Sequence, residues 1–245
     1  MIDKESRVLV TGANGTVGKA LMKRLKKENL KNIESPSSRD LDLRRQDDVE
    51  IYFREKKFEY VFHLAGKVGG IAANIEKPAD FLYDNLMIGS NVIESSRKSG
   101  VKKLINLGSS CIYPKECPQP MKEEDLLNGK PEPTNEGYAL AKIAILKLCE
   151  YYNKQHNTNF LNLITPNIYG PGDHFDLKKS HVMSALIKKF HEGKKEDSEE
   201  VIVWGTGNAR REFLYVEDVA DAMLFFMRYR QSRDVAQFVN IGYGK

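Results

Sequence analysis

The chain has 245 residues, which is enough for one large domain, or for one domain and part of a second, with a sizeable buried core. Hydrophobic residues make up 41% and charged residues 29% of it, a composition that excludes a largely disordered chain. The net charge of +4 comes from Lys and Arg interleaved with Asp and Glu, without a long block of one sign, so the charge pattern argues against a nucleic-acid-binding tract.

The first half of the chain alternates predicted strands and helices. "RVLVTG" predicts a short buried strand, and "TVGKALMKRLKKEN" predicts a helix with Val17, Ala20, Leu21 and Leu25 on one face. The next elements are a weak strand near residues 31–35, a helix over "QDDVEIYFREKK", the strand "YVFHLAG", a helix over about residues 78–98 and the strand "KKLINLGSS". This alternation predicts an α/β fold with a parallel, doubly wound sheet of the Rossmann type.

The second half begins with the loop "CIYPKECPQPMKEEDLLNGKPEPTNEG", which precedes a helix that carries Tyr138. Loops of this length inside a domain are usually functional. After the strand "FLNLITP" come "NIYGPGDHF", a helix over about residues 181–192, the polar insert "GKKEDSEE" and the strand "VIVWG". The pattern does not give the order of the strands in this region.

Three cysteines, Cys111, Cys117 and Cys149, form no CxxC pair, and their number is odd. The sequence therefore indicates neither a disulfide framework nor a zinc site, and no metal site is expected. The segment "MIDKESRVLVTG" has charges where a signal peptide needs an apolar core, and no apolar run approaches the ~20 residues of a membrane span. We expect a cytoplasmic protein that does not contact membranes.

The glycines Gly12, Gly15 and Gly18 follow a predicted strand and open a predicted helix. Small residues let the backbone approach a pyrophosphate, and the N–H groups at the helix N-terminus hold the anion. We therefore place the whole loop against a dinucleotide, with the intervening residues Ala13, Asn14, Thr16 and Val17.

About twenty residues further on, where an acidic residue would bind the ribose 2′-hydroxyl of NAD, the sequence reads "SSRDLDL". Arg39 can pair with a 2′-phosphate, so we favour NADP(H) as the cofactor. This segment leaves one alternative open. In it, Asp40 or Asp42 binds the ribose 2′-hydroxyl of NAD, and Arg39 is only a surface side chain. Asp42 and Leu43 are placed at the adenine end of the cofactor.

Tyr138 and Lys142 lie four residues apart in "GYALAK", so a helix places both side chains on one face. A free tyrosine titrates near ~10 and exchanges protons poorly at neutral pH. We expect the neighbouring Lys142 ammonium, together with the positive ring of a bound cofactor, to lower the pKa of the Tyr138 phenol and to make it a usable acid or base. A tyrosine and a lysine on an ordinary amphipathic helix are the structural alternative.

Together these segments resemble the extended short-chain dehydrogenase/reductases and, within them, the GDP-L-fucose synthase family. The resemblance runs from Arg7 to the last residue. The strings that carry it are "KVGGIAANIEKPADFLYDN", "LGSSCIYPK", "EPTNEGYALAKIA", "LCEYYNKQ", "NIYGPGDHF", "SHVMSALIKKFHE" and "VIVWGTGNARREFLYVEDVA". The resemblance implies an NADPH-dependent enzyme that epimerises GDP-4-keto-6-deoxy-D-mannose at C3 and C5 and reduces it at C4.

The resemblance also implies catalytic roles. Ser109, Tyr138 and Lys142 would form the triad that acts on the C4 carbonyl and holds the nicotinamide ribose. Cys111 and His181 would be the base and the acid of the epimerisation. The structural alternative for Cys111 is a small buried hydrophobic side chain at a strand end, and that for His181 is a helix-capping or surface imidazole.

Further binding residues follow from the same resemblance. Leu107, Gly108 and Asn167 would lie at the cofactor, together with Lys142 and His181. Lys189, Trp204 and Arg211 would contact the GDP part of the substrate, although core packing at a strand end is the alternative for the tryptophan. His63, at the end of a strand, is expected to organise packing rather than catalysis.

The implied organisation is an NADP-binding domain over residues 1–170 and part of a nucleotide-sugar lobe over 171–211, with 212–245 returning to the first domain. The lobe is expected to be incomplete, because the resembling family continues beyond "FVNIGYGK". The helices near 79–98 and 138–155 are expected to form a four-helix bundle in a homodimer. The alternatives are another nucleotide-sugar epimerase or reductase of the same superfamily, and a noncatalytic dinucleotide-binding protein.

Overall fold

The computed structural model describes residues 2–176, 180, 182–203, 205–236 and 238–244. Its strands are β1 (Val8–Thr11), β2 (Ile33–Glu34), β3 (Tyr60–His63), β4 (Lys103–Ser109), β5 (Phe160–Thr165), β6 (Asn167–Tyr169), β7 (Phe213–Tyr215) and β8 (Val239–Asn240). Its α-helices are α1 (Thr16–Lys27), α2 (Gln46–Lys56), α3 (Ile71–Glu76), α4 (Pro78–Lys98), α5 (Glu136–His156), α6 (Val182–Lys195) and α7 (Val216–Tyr229).

In the part of the chain that the structure describes, the central sheet has six parallel strands in the order β2-β1-β3-β4-β5-β8. The predicted doubly wound parallel sheet is therefore confirmed. The chain order reverses direction at β1, which has β2 on one side and β3 on the other, and in such sheets ligands bind at the carboxyl ends of the strands near this point. This topology brings the residues after β1, β3 and β4 to one edge.

Helices cover both faces of the sheet, and the alternation along β1 shows how. Val8 and Val10 are buried on the face that α1 and α7 cover, whereas Leu9 is buried on the face of α2, α4 and α5. As predicted, Leu21 and Leu25 of α1 lie in the first of these cores, with Val17 and Ala20 packed against it.

Helices α4 and α5 cross closely at Gly89. A Cβ atom at this position would lie 2.5 Å from the Ile145 Cδ1 atom, so a side chain there would push the helices apart. Both helices have the predicted positions, and α5 ends with Asn157 in the left-handed conformation that asparagine tolerates.

One local prediction is corrected by the structure. The strand expected over "VIVWG" is wrong for its described part, since residues 201–203 are not in a strand and the Ile202 side chain is 70% exposed. Among the described residues, no strand pairs with residues 201–203. The second sheet is instead a parallel pair of β6 and β7. Helix α3 and the short 3-10 turns in the loop after β4 carry too little periodicity for the sequence to predict them.

Within the described ranges, no helix is both long enough and apolar enough to cross a membrane.

A lysine of the central sheet has a buried side chain. Lys103 is 3% exposed, and its ammonium donates hydrogen bonds to the carbonyl oxygens of Phe226 at 2.6 Å, Met227 at 2.8 Å and Arg230. Burial lowers the pKa of Lys103 to about 8, so the amine still carries its charge at neutral pH. It supplies a donor to carbonyl oxygens at the end of α7, of which the Phe226 oxygen also accepts from the Arg230 backbone N–H at 3.3 Å.

We predict that Lys103→Met lowers the free energy of unfolding by about 3 kcal/mol, because it leaves buried carbonyl oxygens without donors. The matched control is Lys102→Met, whose side chain is exposed and pairs with Glu59 at 2.5 Å. That change should cost less than about 1 kcal/mol. Urea denaturation of the three proteins measures both values, and equal losses from the two substitutions would contradict this role of Lys103.

Candidate active site

The turn between β1 and α1 brings the backbone of the glycine loop close to the turn after β3. Gly12 has a φ of 71°, and a Cβ atom on it would lie 2.7 Å from the Ala65 N atom. A Cβ atom on Gly18 would overlap the Gly12 carbonyl oxygen. No side chain caps the N-terminus of α1, and its first turn has no acidic residue. The loop therefore fits a pyrophosphate, with the helix N–H groups facing the anion.

In the loop after β2, the two candidate carboxylates, Asp40 and Asp42, both accept hydrogen bonds from residues of the same loop. Asp40 accepts hydrogen bonds from the Ser37 N–H at 3.0 Å and the Ser37 hydroxyl at 2.7 Å, and these bonds lower its pKa. Asp42 accepts from the Arg44 guanidinium at 2.8 and 2.9 Å, which lowers its pKa to about 2. Arg39 is exposed, and its guanidinium has no ion pair within the described residues. This arrangement leaves Arg39 available for a 2′-phosphate.

The end of β4 and the start of α5 bring four predicted catalytic residues together. The Ser109 hydroxyl lies near enough to the Tyr138 phenol to lower its pKa, and the hydroxyl oxygen accepts from the Cys111 backbone N–H at 3.4 Å. The Lys142 Nζ atom lies 5.7 Å from the centroid of the Tyr138 ring. This spacing follows from the helical periodicity of α5, which stacks residues four apart.

Tyr138 titrates above the range of an ordinary tyrosine. Burial raises the pKa of its phenol, the nearby Cys111 raises it further, and the hydrogen bond with Ser109 offsets part of the rise. The expectation that Lys142 lowers this pKa is therefore wrong for the protein without cofactor, because desolvation dominates. A phenol with a raised pKa stays protonated at neutral pH, and it remains acidic enough to protonate an alkoxide.

Lys142 lies between the ends of β3 and β4. Its ammonium donates to the Leu107 carbonyl oxygen at 3.5 Å, and a Cβ atom on Gly66 would lie 3.5 Å from it. Burial lowers the pKa of Lys142 to about 8. The amine is therefore charged at neutral pH but close to losing its proton, which makes its charge sensitive to mildly alkaline conditions.

Gly108 lies next to this pair in β4. A Cβ atom there would overlap the Ile164 Cδ1 atom of β5, and the Gly108 carbonyl oxygen accepts from the Thr165 hydroxyl at 3.3 Å. The glycine thus lets the two strands pack closely at the carboxyl edge of the sheet. The position of the β4 backbone, and with it that of Ser109, depends on this packing.

The structure also identifies residues that the sequence interpretation missed. The Thr11 hydroxyl accepts from the backbone N–H groups of Leu64 and Ala65 at 3.2 Å each and lies 2.8 Å from the His63 Nδ1 atom. Its proton is then donated to Nδ1, which leaves the proton of the neutral imidazole on Nε2. Burial lowers the pKa of His63 to about 3, so the ring is uncharged. The expected organising role of His63 is confirmed.

A second missed residue is Asn85 on α4. Its side chain accepts from the Lys67 N–H at 2.9 Å and donates to the Lys67 carbonyl oxygen at 3.0 Å. The Lys67 ammonium pairs with Asp84 at 2.8 Å and Asp80 at 3.0 Å. These contacts fix the turn after β3, and the only sequence signal for them was the string "YDN" within the family resemblance.

The predicted substrate-binding residues are spread along the second part of the chain. Asn167 lies at the start of β6 and bonds to the Glu212 carbonyl oxygen. Lys189 lies on α6, where its ammonium donates to the Ile202 carbonyl oxygen at 2.9 Å, and Arg211 is exposed just before β7. His181 and Trp204 lie outside the described residues. The described residues contain no cluster of three or more His, Cys, Asp or Glu side chains that could hold a metal ion.

Comparison with known proteins places this geometry among nucleotide-sugar enzymes. The model of the NAD dependent epimerase/dehydratase family matches residues 8–242. The chain is 48% identical to GDP-L-fucose synthase 1 of Arabidopsis thaliana, over 100% of this chain and 75% of that protein. A GDP-D-glycero-L-gluco-heptose synthase structure from Campylobacter jejuni, in the presence of NADPH, superposes with a TM-score of 0.93 and 36% identity, covering 100% of this chain and 82% of the other.

A GDP-L-fucose synthetase from Naegleria fowleri bound to NADP superposes with a TM-score of 0.89 at 30% identity, covering 100% of this chain and 79% of the other. Both structures are thus similar over the whole of this chain, including the glycine loop and the segment that carries Tyr138 and Lys142. The similarity agrees with the cofactor that Arg39 led us to expect.

We predict that Arg39→Ala weakens NADPH binding at least about tenfold, because it removes a cation from the 2′-phosphate. The affinity for NADH, which lacks that phosphate, should change less than about twofold. Arg45→Ala is the control, since Arg45 lies in the same segment but pairs with Asp48 at 2.9 Å. Fluorescence titration with both cofactors measures the change, and an equal loss for NADH and NADPH would contradict the specificity.

A second prediction concerns pH. The affinity for NADPH should fall about fivefold to tenfold as pH rises from 7 to 9, because Lys142, with its pKa of about 8, loses a proton that it needs to donate to the ribose. The variant Lys142→Met should bind NADPH more weakly at pH 7 and show no such change with pH. A profile of the same shape in this variant would assign the pH dependence to another group.

Proposed function

The chain belongs to the NAD dependent epimerase/dehydratase family, and we propose that it converts GDP-4-keto-6-deoxy-D-mannose to GDP-L-fucose by 3,5-epimerisation and NADPH-dependent 4-reduction. The observation that carries this proposal is the grouping of Ser109, Cys111 and Tyr138 at the carboxyl end of β4. One hydroxyl, one thiol and one phenol meet there, beside the lysine that would hold the cofactor. The relatives named GDP-L-fucose synthase support the choice of sugar.

Epimerisation needs an oxyanion site and a base. The hydrogens at C3 and C5 of the substrate are both adjacent to the C4 ketone, so the electron pair left by either C–H bond moves onto the C4 oxygen. In this proposal Ser109 and Tyr138 donate hydrogen bonds to that oxygen, and Cys111, as a thiolate, accepts the proton. Return of a proton to the opposite face of the carbon completes the inversion, a role that we assign to His181.

Reduction uses the same oxygen. The chemistry that NADPH supplies when bound is the transfer of a hydride to C4. Tyr138 then gives its phenolic proton to the C4 oxygen, and its raised pKa keeps that proton in place until the alkoxide forms. Lys142 donates to the nicotinamide ribose and stabilises the phenolate that remains.

We propose the following division of the chain. Residues 1–170 bind the cofactor, with 212–245 returning to that domain, and 171–211 form part of the lobe that binds the nucleotide sugar. Two observations support it: β8 pairs with β5 in the main sheet, and α7 packs on α1. In the second lobe, Lys189 and Arg211 supply cations for the pyrophosphate, and Trp204 is assigned to the base or ribose.

A second candidate is the epimerisation or reduction of another GDP-linked sugar. The Campylobacter jejuni neighbour is named for a GDP-heptose product, and a GDP-L-colitose synthase of Yersinia pseudotuberculosis is 41% identical over 98% of this chain. These enzymes would share the cofactor site and the groups at the C4 carbonyl. The identity of the sugar product therefore separates the two candidates.

We also propose that the protein is a cytoplasmic homodimer. Its cysteines are free, as in a reducing compartment. Helices α4 and α5 pack side by side and leave Tyr83, Leu140 and Tyr151 exposed on their outer faces. Pairing of these faces across a two-fold axis would form a four-helix bundle. Light scattering after size exclusion tests this, and a monomer at micromolar concentration would refute it.

We predict that the protein oxidises NADPH with GDP-4-keto-6-deoxy-D-mannose, forms GDP-L-fucose, and in D2O introduces deuterium at C3 and C5. Tyr138→Phe should slow the reduction at least about 100-fold. Cys111→Ser should slow deuterium exchange by a similar factor while leaving the affinity for NADPH unchanged. NMR of the product and absorbance of the reduced cofactor measure these effects.

Cys117→Ser is the control, because this cysteine lies in the same loop and has no proposed role. It should retain wild-type exchange and turnover. Exchange at the wild-type rate in Cys111→Ser would remove Cys111 from the mechanism. NADPH binding without oxidation by the wild type would remove the proposed reaction.

A further inference from the structure

We propose that Glu212 is a positioning residue for the sugar nucleotide, a role that rests on the proposed function. Glu212 lies between Arg211, which is assigned to the GDP pyrophosphate, and β7. It contacts two segments that are far from it in the chain: the start of β6 and the residues after β8. We call its contacts with Asn167, Gly242 and Tyr243 the Glu212 clasp.

The backbone of Glu212 forms one side of the clasp. Its carbonyl oxygen accepts from both the backbone N–H and the side-chain amide of Asn167, each at 3.3 Å. Asn167 is the first residue of β6, which pairs in parallel with β7 from Phe213 onward. The two bonds therefore fix where β6 begins relative to Arg211 and Glu212.

The carboxylate of Glu212 forms the other side. Its Oε1 atom accepts from the Tyr243 backbone N–H at 2.6 Å. A Cβ atom on Gly242 would overlap Oε1 and lie 3.1 Å from Oε2, so only glycine lets this backbone come so close to the carboxylate. A hydrogen bond from an amide to a carboxylate is stronger than one between neutral groups. The clasp thus ties the end of the main sheet, just after β8, to the small β6–β7 sheet.

The position of the clasp indicates what it does. Arg211 is exposed and its guanidinium donates to the Arg210 carbonyl oxygen at 2.7 Å, so its direction depends on the backbone that carries it. Glu212 is the next residue, and its contacts hold that backbone from two sides. Loss of the carboxylate contact would let the Arg211 segment move relative to the backbone after β8 without disturbing the glycine loop or Tyr138. The expected result is weaker binding of the GDP group with little change in the chemical step.

The test uses two single substitutions that break the same contact from opposite sides, Glu212→Ala and Gly242→Ala. The φ of Gly242 lies outside the left-handed region, so alanine fits its backbone and only the approach to the carboxylate is lost. Glu212→Gln keeps the acceptor oxygen and should rescue binding. Glu55→Ala, which removes an exposed carboxylate on α2, is the control.

We expect Glu212→Ala and Gly242→Ala each to raise the KM for the GDP-sugar, and the Kd for GDP itself by calorimetry, about tenfold. The kcat should stay within about threefold, and the Kd for NADPH should stay unchanged. Glu212→Gln should lie within about threefold of the wild type. The double variant should be no worse than either single variant, because both remove one interaction.

Unchanged GDP affinity in Glu212→Ala, or effects of the two substitutions that multiply in the double variant, would overturn the inference. A loss of NADPH affinity equal to the loss for GDP would assign Glu212 a general structural role and overturn it as well. If the wild type binds GDP but does not turn over, the proposed reaction fails while the GDP series still decides the clasp. A wild-type chain without measurable GDP affinity would overturn the clasp.

Discussion

The close approach of the turn after β1 to its neighbours is the constraint on which the rest of the site depends. It requires glycine at positions 12 and 18, where a Cβ atom would meet the backbone of Ala65 or of the glycine loop itself. This approach brings the N-terminus of α1 to the same sheet edge as the ends of β3 and β4. The N-terminus of α1 can then bind an anionic group of the same ligand on which the groups around Tyr138 act.

Burial shifts the pKa values of the titratable groups in the site more than ion pairs do. Tyr138, Lys142 and His63 each shift toward the neutral form, because burial disfavours the charged form of each side chain. At neutral pH the Tyr138 phenol therefore keeps its proton and His63 is uncharged, whereas Lys142, with a pKa of about 8, still carries its charge. The Ser109 hydroxyl acts in the opposite direction on Tyr138, because its interaction with the phenol lowers the phenol's pKa.

Much of the fold could be predicted because its signals are local. The strand, glycine loop and helix at the N-terminus follow in a strict order, and the four-residue spacing of Tyr138 and Lys142 on α5 survives in the structure as a ring-to-ammonium distance of 5.7 Å. The "VIVWG" strand failed because a β pattern needs a neighbouring strand, and Ile202 has none beside it among the described residues. Sheet pairing is a nonlocal property that the apolar pattern alone does not report.

The sequence by itself determined the alternating architecture, the pyrophosphate loop and the residue types available for chemistry, since each depends on neighbours within a few positions. Only the tertiary structure decided which polar side chains are already engaged in hydrogen bonds within the protein. Asp42 is engaged by Arg44, Thr11 by His63, and the Glu212 carboxylate by the backbone after β8. It also decided the direction of the Tyr138 pKa, because desolvation depends on everything that packs around a group, wherever those atoms lie in the chain.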